Sequence, residues 1–168
     1  MIQVSCASFK TPWGVGMVAA SPLGVCRVWL PGDSTMPLSQ LSLSASRDLA
    51  DTAAEQLQRY FHKRLQLFDL PVDLTGLTSF RTTVLQQTAL IPYGTLLTYG
   101  QLAQQVGNPR AARAVGGALA ANPIAVIIPC HRVVASNGAL TGYTAPGGVM
   151  MKKFLLSLEE ADFNTVIF

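Results

Sequence analysis

Short apolar runs alternate with polar turns over the first thirty residues. The runs IQVSCASF, GVGMVAA and GVCRVWL are rich in valine, and KTPWG and SPLG between them carry the proline and glycine typical of tight turns. This pattern predicts a small antiparallel meander of three strands. The polar segment that follows, PGDSTMPLSQLSLSAS, is predicted to be a loop.

A helical period begins at residue 47. In RDLADTAAEQLQRYFHKRL, apolar side chains recur at positions 49, 53, 57, 60 and 61, with acidic residues early and basic residues late. These features predict one amphipathic helix. The segment FDLPVDLTGLTS then links this part of the chain to the next, so we expect an N-terminal lobe over residues 1–76 and a C-terminal lobe over residues 77–168.

The C-terminal lobe is predicted to be mostly helical as far as residue 122. SFRTTVLQQTALI predicts one helix, and LTYGQLAQQVG predicts a second, because Thr98 and Gln101 form a capping box and Gly107 suits the position after the helix end. Asn108 and Pro109 predict the start of a third helix, PRAARAVGGALAA. Two short helices joined by a Gly-Asn turn resemble a helix-turn-helix, although many small α-hairpins share this pattern.

Within the third predicted helix, the stretch AARAVGGALAA has alanine or glycine at eight of its eleven positions. Gly116 and Gly117 each destabilise a helix by about 1 kcal/mol relative to alanine, so the pair needs a reason. One reason is close packing against another helix, and the other is close approach to a nucleic acid, whose B-form minor groove is only about 6 Å wide. Arg113, between Ala112 and Ala114, would be the single long side chain on that surface. The sequence leaves both explanations open.

The segment NPIAVIIPCHRVV places a thiol, an imidazole and a guanidinium next to an apolar run. We expect a buried strand that ends at Pro129, followed by Cys130, His131 and Arg132. In one interpretation the cysteine packs as a small hydrophobic residue while the other two side chains face water. In the other, Cys130 is a nucleophile, which requires a base because a free cysteine has a pKa of about 8.5 and only the thiolate reacts.

Composition sets limits on the class of protein. The chain has 168 residues, 49% of them hydrophobic and 12% charged, which favours a folded core over disorder. No apolar run has the roughly 18 residues of a membrane span, and no signal-peptide pattern opens the chain. Three widely spaced cysteines fit the reducing cytoplasm. Only Cys6, Cys26 and His62 could ligate zinc in the first lobe, where four ligands are usual, so we expect no metal and no other cofactor.

Charge is unevenly distributed along the chain. Residues 1–73 carry six basic and six acidic residues, whereas residues 74–158 carry six basic residues and no acidic one. The basic six are Arg81, Arg110, Arg113, Arg132, Lys152 and Lys153. Such a distribution is typical of a surface that binds a polyanion, and a solvated basic face is the alternative.

The motif IPCHRVV has flanks that carry a family resemblance. Preceded by ARAVGGALAANP and followed by NGALTGY and KKFLLSLE, it resembles the O6-alkylguanine-DNA alkyltransferases, also called methylated-DNA–protein-cysteine methyltransferases. The resemblance runs from about Phe80 to Glu159. It implies an α+β fold, with a small antiparallel sheet and a helix in the first lobe and a helix-turn-helix in the second. It also implies a monomer that binds duplex DNA through the minor groove, flips out O6-alkylguanine and transfers the alkyl group irreversibly to Cys130.

The resemblance also implies roles for individual residues. Cys130 would accept the alkyl group, His131 would act as its base through water, Glu159 would orient the imidazole, and Tyr99 would help to rotate the nucleotide and donate to the guanine. Arg113 would fill the vacated base stack. The DNA-binding set is Arg113, Ala112, Ala114, Gly116, Gly117 and Asn122, the last bracing the chain before the active site. The pocket set is Val133 and Thr144, through their backbones, with Tyr143 and Leu119.

Two local features depart from the family pattern. YTAPGG contains two residues more than the family's usual spacing, Ala145 and Pro146, which bears most on the role of Thr144. The C-terminal acid is followed by a second one, Glu160, so the choice of Glu159 rests on the LLxLE register. The alternatives to repair are an alkyltransferase-like protein that binds or senses DNA damage, a helix-turn-helix regulator that senses alkylation, and a Cys-His hydrolase.

Overall fold

The computed structural model describes residues 4–37 and 47–162. The chain forms two units. The first contains residues up to Thr75 together with Pro123–Ile127, and the second contains Gly76–Asn122 and the residues from Ile128 onward. The predicted lobes, divided between residues 76 and 77, placed residues 123–127 in the C-terminal lobe, whereas the structure groups them with the first unit. Within the described residues, no helix is long and apolar enough to cross a membrane.

The first unit is built on the predicted meander. Strands β1 (Ser5–Thr11), β2 (Gly14–Ser21) and β3 (Gly24–Trp29) pair antiparallel in the order β1-β2-β3. The sheet packs against helix α1 (Arg47–Phe61), whose inner side chains are buried. These are Ala50, Ala53, Ala54, Leu57, Tyr60 and Phe61. The fold of this unit therefore follows from alternation in the strands and a helical period in α1.

The free edge of β3 is covered by two passing segments. Val25 forms a parallel bridge with Val72, and Val28 forms one with Ile124. The second bridge is the contact that places residues 123–127 in the first unit. Of the predicted loop over residues 31–46, residues 31–37 form turns, and residues 38–46 lie outside the described part of the chain.

The second unit contains four helices and a short parallel strand pair among its described residues. The helices are α2 (Ser79–Ala89), α3 (Tyr99–Gln105), α4 (Ala112–Ala120) and α5 (Gly148–Leu158), and the strands are β4 (Leu97–Thr98) and β5 (Val133–Val134). The predicted capping box at the start of α3 is confirmed. The Gln101 backbone N–H donates to the Thr98 hydroxyl at 3.1 Å, and the Thr98 backbone N–H donates to the Gln101 side chain at 2.8 Å.

The predicted start of α4 at Asn108 and Pro109 is wrong. The helix begins at Ala112, and its N-cap residue, Ala111, has no side-chain cap. Asn108 instead closes the end of α3, because its backbone N–H donates to the carbonyl of Ala103 at 3.0 Å. Its own carbonyl accepts from the Ala111 backbone N–H at 3.0 Å and forms a turn. This turn uses the residues that were expected to form the first helical turn.

The predicted strand before Cys130 is also wrong. Ile124 makes a single bridge, and Val126 has a φ of 73°, which an extended strand does not allow and which is rare for a β-branched residue. Cys130–Arg132 form one 3-10 turn, in which the Arg132 backbone N–H donates to the Pro129 carbonyl at 2.9 Å. The thiol, imidazole and guanidinium therefore project from a tight turn, where their side chains need not alternate between two faces.

Candidate active site

Cys130 lies at the start of this 3-10 turn and is buried, with 8% of its surface exposed. Asn122, two residues after α4, donates through its side-chain amide to the Ile128 carbonyl at 3.0 Å and also hydrogen-bonds the thiol. Burial raises the pKa of the Cys130 thiol, while the Asn122 hydrogen bond and the charge of Lys152 oppose this rise. The thiol is consequently protonated at neutral pH unless a base takes its proton.

His131 and Arg132 both reach the same carboxylate. Glu159, the C-cap residue of α5, accepts from His131 Nε2 at 2.7 Å. Arg132 donates to both oxygens of that carboxylate, each at 2.8 Å. The Gly94 backbone N–H adds a bond at 3.2 Å. The His131 and Glu159 side chains are fully buried, so the interpretation in which histidine and arginine face water is wrong for this turn.

The protonation states in this cluster follow from its geometry. Burial alone raises the pKa of Glu159, but hydrogen bonds from His131 and Arg132 outweigh burial and hold the pKa far below its usual range. Burial lowers the pKa of His131, and Glu159 opposes that shift while the Arg132 charge reinforces it. The cluster therefore holds an ionised carboxylate beside a neutral imidazole that donates from Nε2. Such an imidazole can accept a proton at Nδ1.

Two tyrosines lie near the thiol: Tyr99, predicted to take part in catalysis, and Tyr143, predicted to line the pocket. Tyr99, the first residue of α3, donates its hydroxyl to the Thr141 carbonyl at 3.2 Å. The Tyr143 hydroxyl is buried without a hydrogen-bond partner among the described residues. Burial, followed by the charges of Cys130 and Glu159, raises the pKa of Tyr143 well above its usual value. Tyr143 is therefore a neutral phenol placed close to both groups.

The loop with the two additional residues is ordered by local hydrogen bonds. The Gly148 backbone N–H donates to the Ala145 carbonyl at 2.9 Å, which forms a turn immediately before α5. Gly147, the N-cap residue, has a φ of 86°, which favours glycine. Thr144 is exposed, and its hydroxyl donates to the Ala120 carbonyl at the end of α4 at 2.9 Å. The longer loop is thus attached directly to α4.

The glycines of α4 do not serve close packing inside this unit. A Cβ added at Gly117 would meet no heavy atom of the described residues within 4 Å, and one at Gly116 would meet only the Tyr99 ring, at 3.9 Å. Arg113, Ala114, Gly117 and Ala120 form an exposed face of the helix, which we call the small-residue face. Ala112 is half-buried, and Leu119 is buried with Val115 and Ala118 on the opposite side.

The predicted site residues did not include two buried cations. Arg132 and Lys152 were counted as part of a basic surface, but the structure leaves only 5% and 1% of their respective surfaces exposed. Lys152 Nζ donates to the Val133 carbonyl at 2.6 Å. A signal for Lys152 was present in the sequence, because helical spacing places it beside the buried Leu155 and Leu156.

No zinc site was expected in the first lobe. Among the described residues of the chain, no group of three or more histidine, cysteine or acidic side chains could hold a metal ion. His62 Nδ1 lies 2.7 Å from the Gln58 carbonyl, and Cys6 and Cys26 are free thiols.

Comparison with known proteins identifies the family. Over 154 residues the chain is 40% identical to a methylated-DNA–protein-cysteine methyltransferase of Methanosarcina acetivorans, and this match covers 91% of the chain and 96% of the relative. The chain belongs to the methylated-DNA–protein-cysteine methyltransferase family. Residues 79–161 match the family model described as 6-O-methylguanine DNA methyltransferase, DNA binding domain. This segment contains the 3-10 turn, the Glu159 carboxylate and the helices α3 and α4.

Solved structures of methyltransferases of this kind share the fold. A crystal structure of Mycobacterium tuberculosis O6-methylguanine methyltransferase matches with a TM-score of 0.80 and 37% identity, over 94% of this chain and 93% of that one. A crystal structure of Mycobacterium tuberculosis OGT in complex with DNA matches with a TM-score of 0.76 and 36% identity, over 93% and 92% of the two chains. The α+β fold implied by the sequence resemblance to methylated-DNA–protein-cysteine methyltransferases is confirmed.

Proposed function

We propose that this protein repairs DNA by transferring the alkyl group of O6-alkylguanine irreversibly to Sγ of its own Cys130. The observation that carries the proposal is a buried cysteine in the same turn as a neutral histidine held by an ionised glutamate. Nucleophile, base and orienting group are the three parts that cysteine nucleophiles require. The membership of the chain in a family of methyltransferases that act on methylated DNA and a protein cysteine supports the same reaction.

The proposed reaction needs one proton transfer and one bond exchange. The thiol proton passes through water to His131 Nδ1, and the resulting imidazolium is stabilised by Glu159. The Cys130 thiolate attacks the alkyl carbon, the carbon–O6 bond breaks, and the electron pair of that bond stays on the guanine. Tyr99 donates a hydrogen bond to the leaving guanine. Over the whole reaction, the guanine gains one proton and the thiol loses one. The thioether product has no good leaving group, so each protein molecule reacts once.

The proposed DNA contact is the small-residue face of α4 in the minor groove. A helix with ordinary side chains is about 10–12 Å across, which is too wide for that groove, whereas a face of alanine and glycine can enter after some widening. Arg113 would occupy the stack vacated by the flipped base. Asn122 braces the chain between α4 and the thiol. The DNA complex of the Mycobacterium tuberculosis relative supports a DNA partner.

The proposed guanine pocket lies around the thiol. Tyr143 would form its wall with Leu119 behind it, the Val133 backbone would read the guanine edge, and the Thr144 backbone N–H would bind O6. We further propose that the protein acts as a monomer in the cytoplasm. The described chain contains three free cysteines, a state that the reducing cytoplasm maintains.

Methyl removal from a duplex that contains O6-methylguanine tests this function. Cys130→Ala should abolish the loss of the methyl group from DNA. Cys26→Ala, which removes a half-buried thiol of β3, should keep the wild-type rate. Continued repair by the Cys130 variant, or release of more demethylated DNA than there are protein molecules, would contradict the proposal; the second result would indicate a hydrolase.

A further inference from the structure

The buried ammonium of Lys152 has no part in the reaction proposed above. Its side chain lies on the inner face of α5 with 1% of the residue exposed. Lysine is rarely buried so fully unless protein groups replace its water. Within residues 4–37 and 47–162, those groups are two carbonyl oxygens, of Val133 at 2.6 Å and of Thr141 at 3.1 Å, together with the Tyr99 ring, whose centre lies 5.7 Å away.

These three contacts reach three different segments around the thiol. Val133 follows the turn that begins with Cys130, Thr141 lies in the loop before α5, and Tyr99 begins α3. The Tyr99 hydroxyl donates to the same Thr141 carbonyl that accepts from the ammonium. One cation therefore fixes the backbone expected to read guanine, the loop of the pocket and the ring of the tyrosine. Loss of the cation would remove one donor from the buried Val133 carbonyl and one from the Thr141 carbonyl.

The charge of Lys152 also acts on the nucleophile. The titratable groups that face the ammonium are the Cys130 thiol and the His131 imidazole from the turn and the Tyr99 phenol from α3. Burial lowers the pKa of Lys152 to about 8, and the Cys130 thiolate opposes this shift. By the same interaction the ammonium lowers the pKa of the thiol. Attraction between charges is stronger inside a protein than in water, so the effect on the thiolate is larger here than at a surface.

We propose that Lys152 is a positioning residue of the alkyl-transfer site, which fixes the carbonyls of Val133 and Thr141 and stabilises the Cys130 thiolate through its positive charge. This inference rests on the proposed transfer to Cys130. The competing interpretation is a purely structural tie without influence on the thiol. The two differ in pH dependence, because the charge is present below the lysine pKa of about 8 and is lost above it.

The reactivity of Cys130 toward iodoacetamide tests the charge directly and needs no DNA. The rate is followed from about pH 6 to pH 10 by peptide mass spectrometry, which separates Cys130 from the other two cysteines. Lys152→Met should react severalfold more slowly at pH 7, because the thiol loses a positive charge that lowers its pKa. This ratio should shrink above pH 8, where the wild-type lysine is itself neutral. Lys153→Gln removes the same charge from an exposed neighbouring position and should match the wild type.

A ratio between wild type and Lys152→Met that stays constant across this pH range would overturn the proposal. If thermal unfolding shows that Lys152→Met does not fold, Lys152→Arg decides the question, because arginine keeps its charge throughout. The wild-type profile should then flatten above about pH 8 while the arginine profile continues to rise, and parallel profiles would refute the role. Free O6-methylguanine, tested in parallel, separates the two proposals. Failure of the wild type to take up its methyl group counts against alkyl transfer, whereas the iodoacetamide profiles still decide the role of Lys152.

Discussion

The carboxylate of Glu159 shows what single residues contribute to this site. Its register in LLxLE could be chosen from the sequence, and the structure places Glu159 in the core and Glu160 at the surface. The two hydrogen bonds from Arg132 to this carboxylate could not be predicted, because consecutive side chains of an extended segment point to opposite faces. The 3-10 turn directs the side chains of His131 and Arg132 to one carboxylate. Removing Arg132 or Glu159 would leave the charge of the other buried with less compensation, a change that costs about 3–5 kcal/mol for buried pairs.

The buried neutral imidazole of His131 predicts a specific loss of stability in mild acid. Its pKa is lowered in the folded state, so below the unfolded value of about 6.5 the unfolded chain binds a proton that the folded chain does not. The free energy of unfolding, measured in urea, should therefore fall between pH 7.5 and 5.5, by at most about 1.4 kcal/mol for one histidine. Glu159 does not contribute in this window, because its stabilisation is lost only below the unfolded carboxylate pKa of about 4.3.

The exposed histidine supplies the control for this measurement. His62→Gln should retain the decrease, because His62 is exposed to solvent immediately after α1. A His131→Asn variant that folds should lose it. Equal stability of the wild-type protein at the two pH values would contradict a buried neutral imidazole.

At the scale of elements, prediction succeeded where local signals decide. The meander follows from strand alternation and turn residues, and α3 follows from a capping box that needs only residues three apart. The start of α4 was missed because Asn108 can close one helix or cap the next, and only the tertiary fold selects between them. The apolar run before Cys130 carries no local sign of the positive φ at Val126. Short buried runs do not reveal their backbone conformation by periodicity alone.

The small-residue face of α4 leads to a prediction that separates base flipping from chemistry. Arg113→Ala should slow methyl transfer from duplex DNA by about tenfold or more, since unstacking costs a few kcal/mol per flipped base. The same variant should react with free O6-methylguanine at nearly the wild-type rate. Arg110→Ala, which removes an equal charge from the exposed turn before α4, should lose less on the duplex. Equal slowing on both substrates would instead assign Arg113 to the pocket or the fold.

At the scale of the whole molecule, the C-terminal half exposes less positive charge than its sequence indicates. Of its six cations, Arg132 and Lys152 are buried on protein partners and cannot contact phosphate. Four remain exposed: Arg81, Arg110, Arg113 and Lys153. Charge counting along the sequence could not make this distinction, because burial depends on the packing of α5 and of the turn.

The four exposed cations of this half predict the salt dependence of DNA binding through the C-terminal lobe. Each phosphate neutralised contributes a slope of about −0.9 to the plot of log affinity against log salt, so the slope should be about −3 to −4. Affinity for an unmodified duplex should then fall roughly a hundredfold between about 50 and 200 mM salt. A slope near zero in a fluorescence titration would show that these side chains do not contact phosphate, and a slope near −6 would require phosphate contacts from cations other than these four.

The most direct test of the central claim is the intact mass of the protein after incubation with excess duplex containing O6-methylguanine. Single-turnover transfer predicts that every active molecule gains one methyl group in place of one hydrogen, that peptide mapping places it on Cys130, and that demethylated DNA equals protein. An unchanged protein mass with continued demethylation, or a methyl group on Cys6 or Cys26, would contradict alkyl transfer to the cysteine of the 3-10 turn.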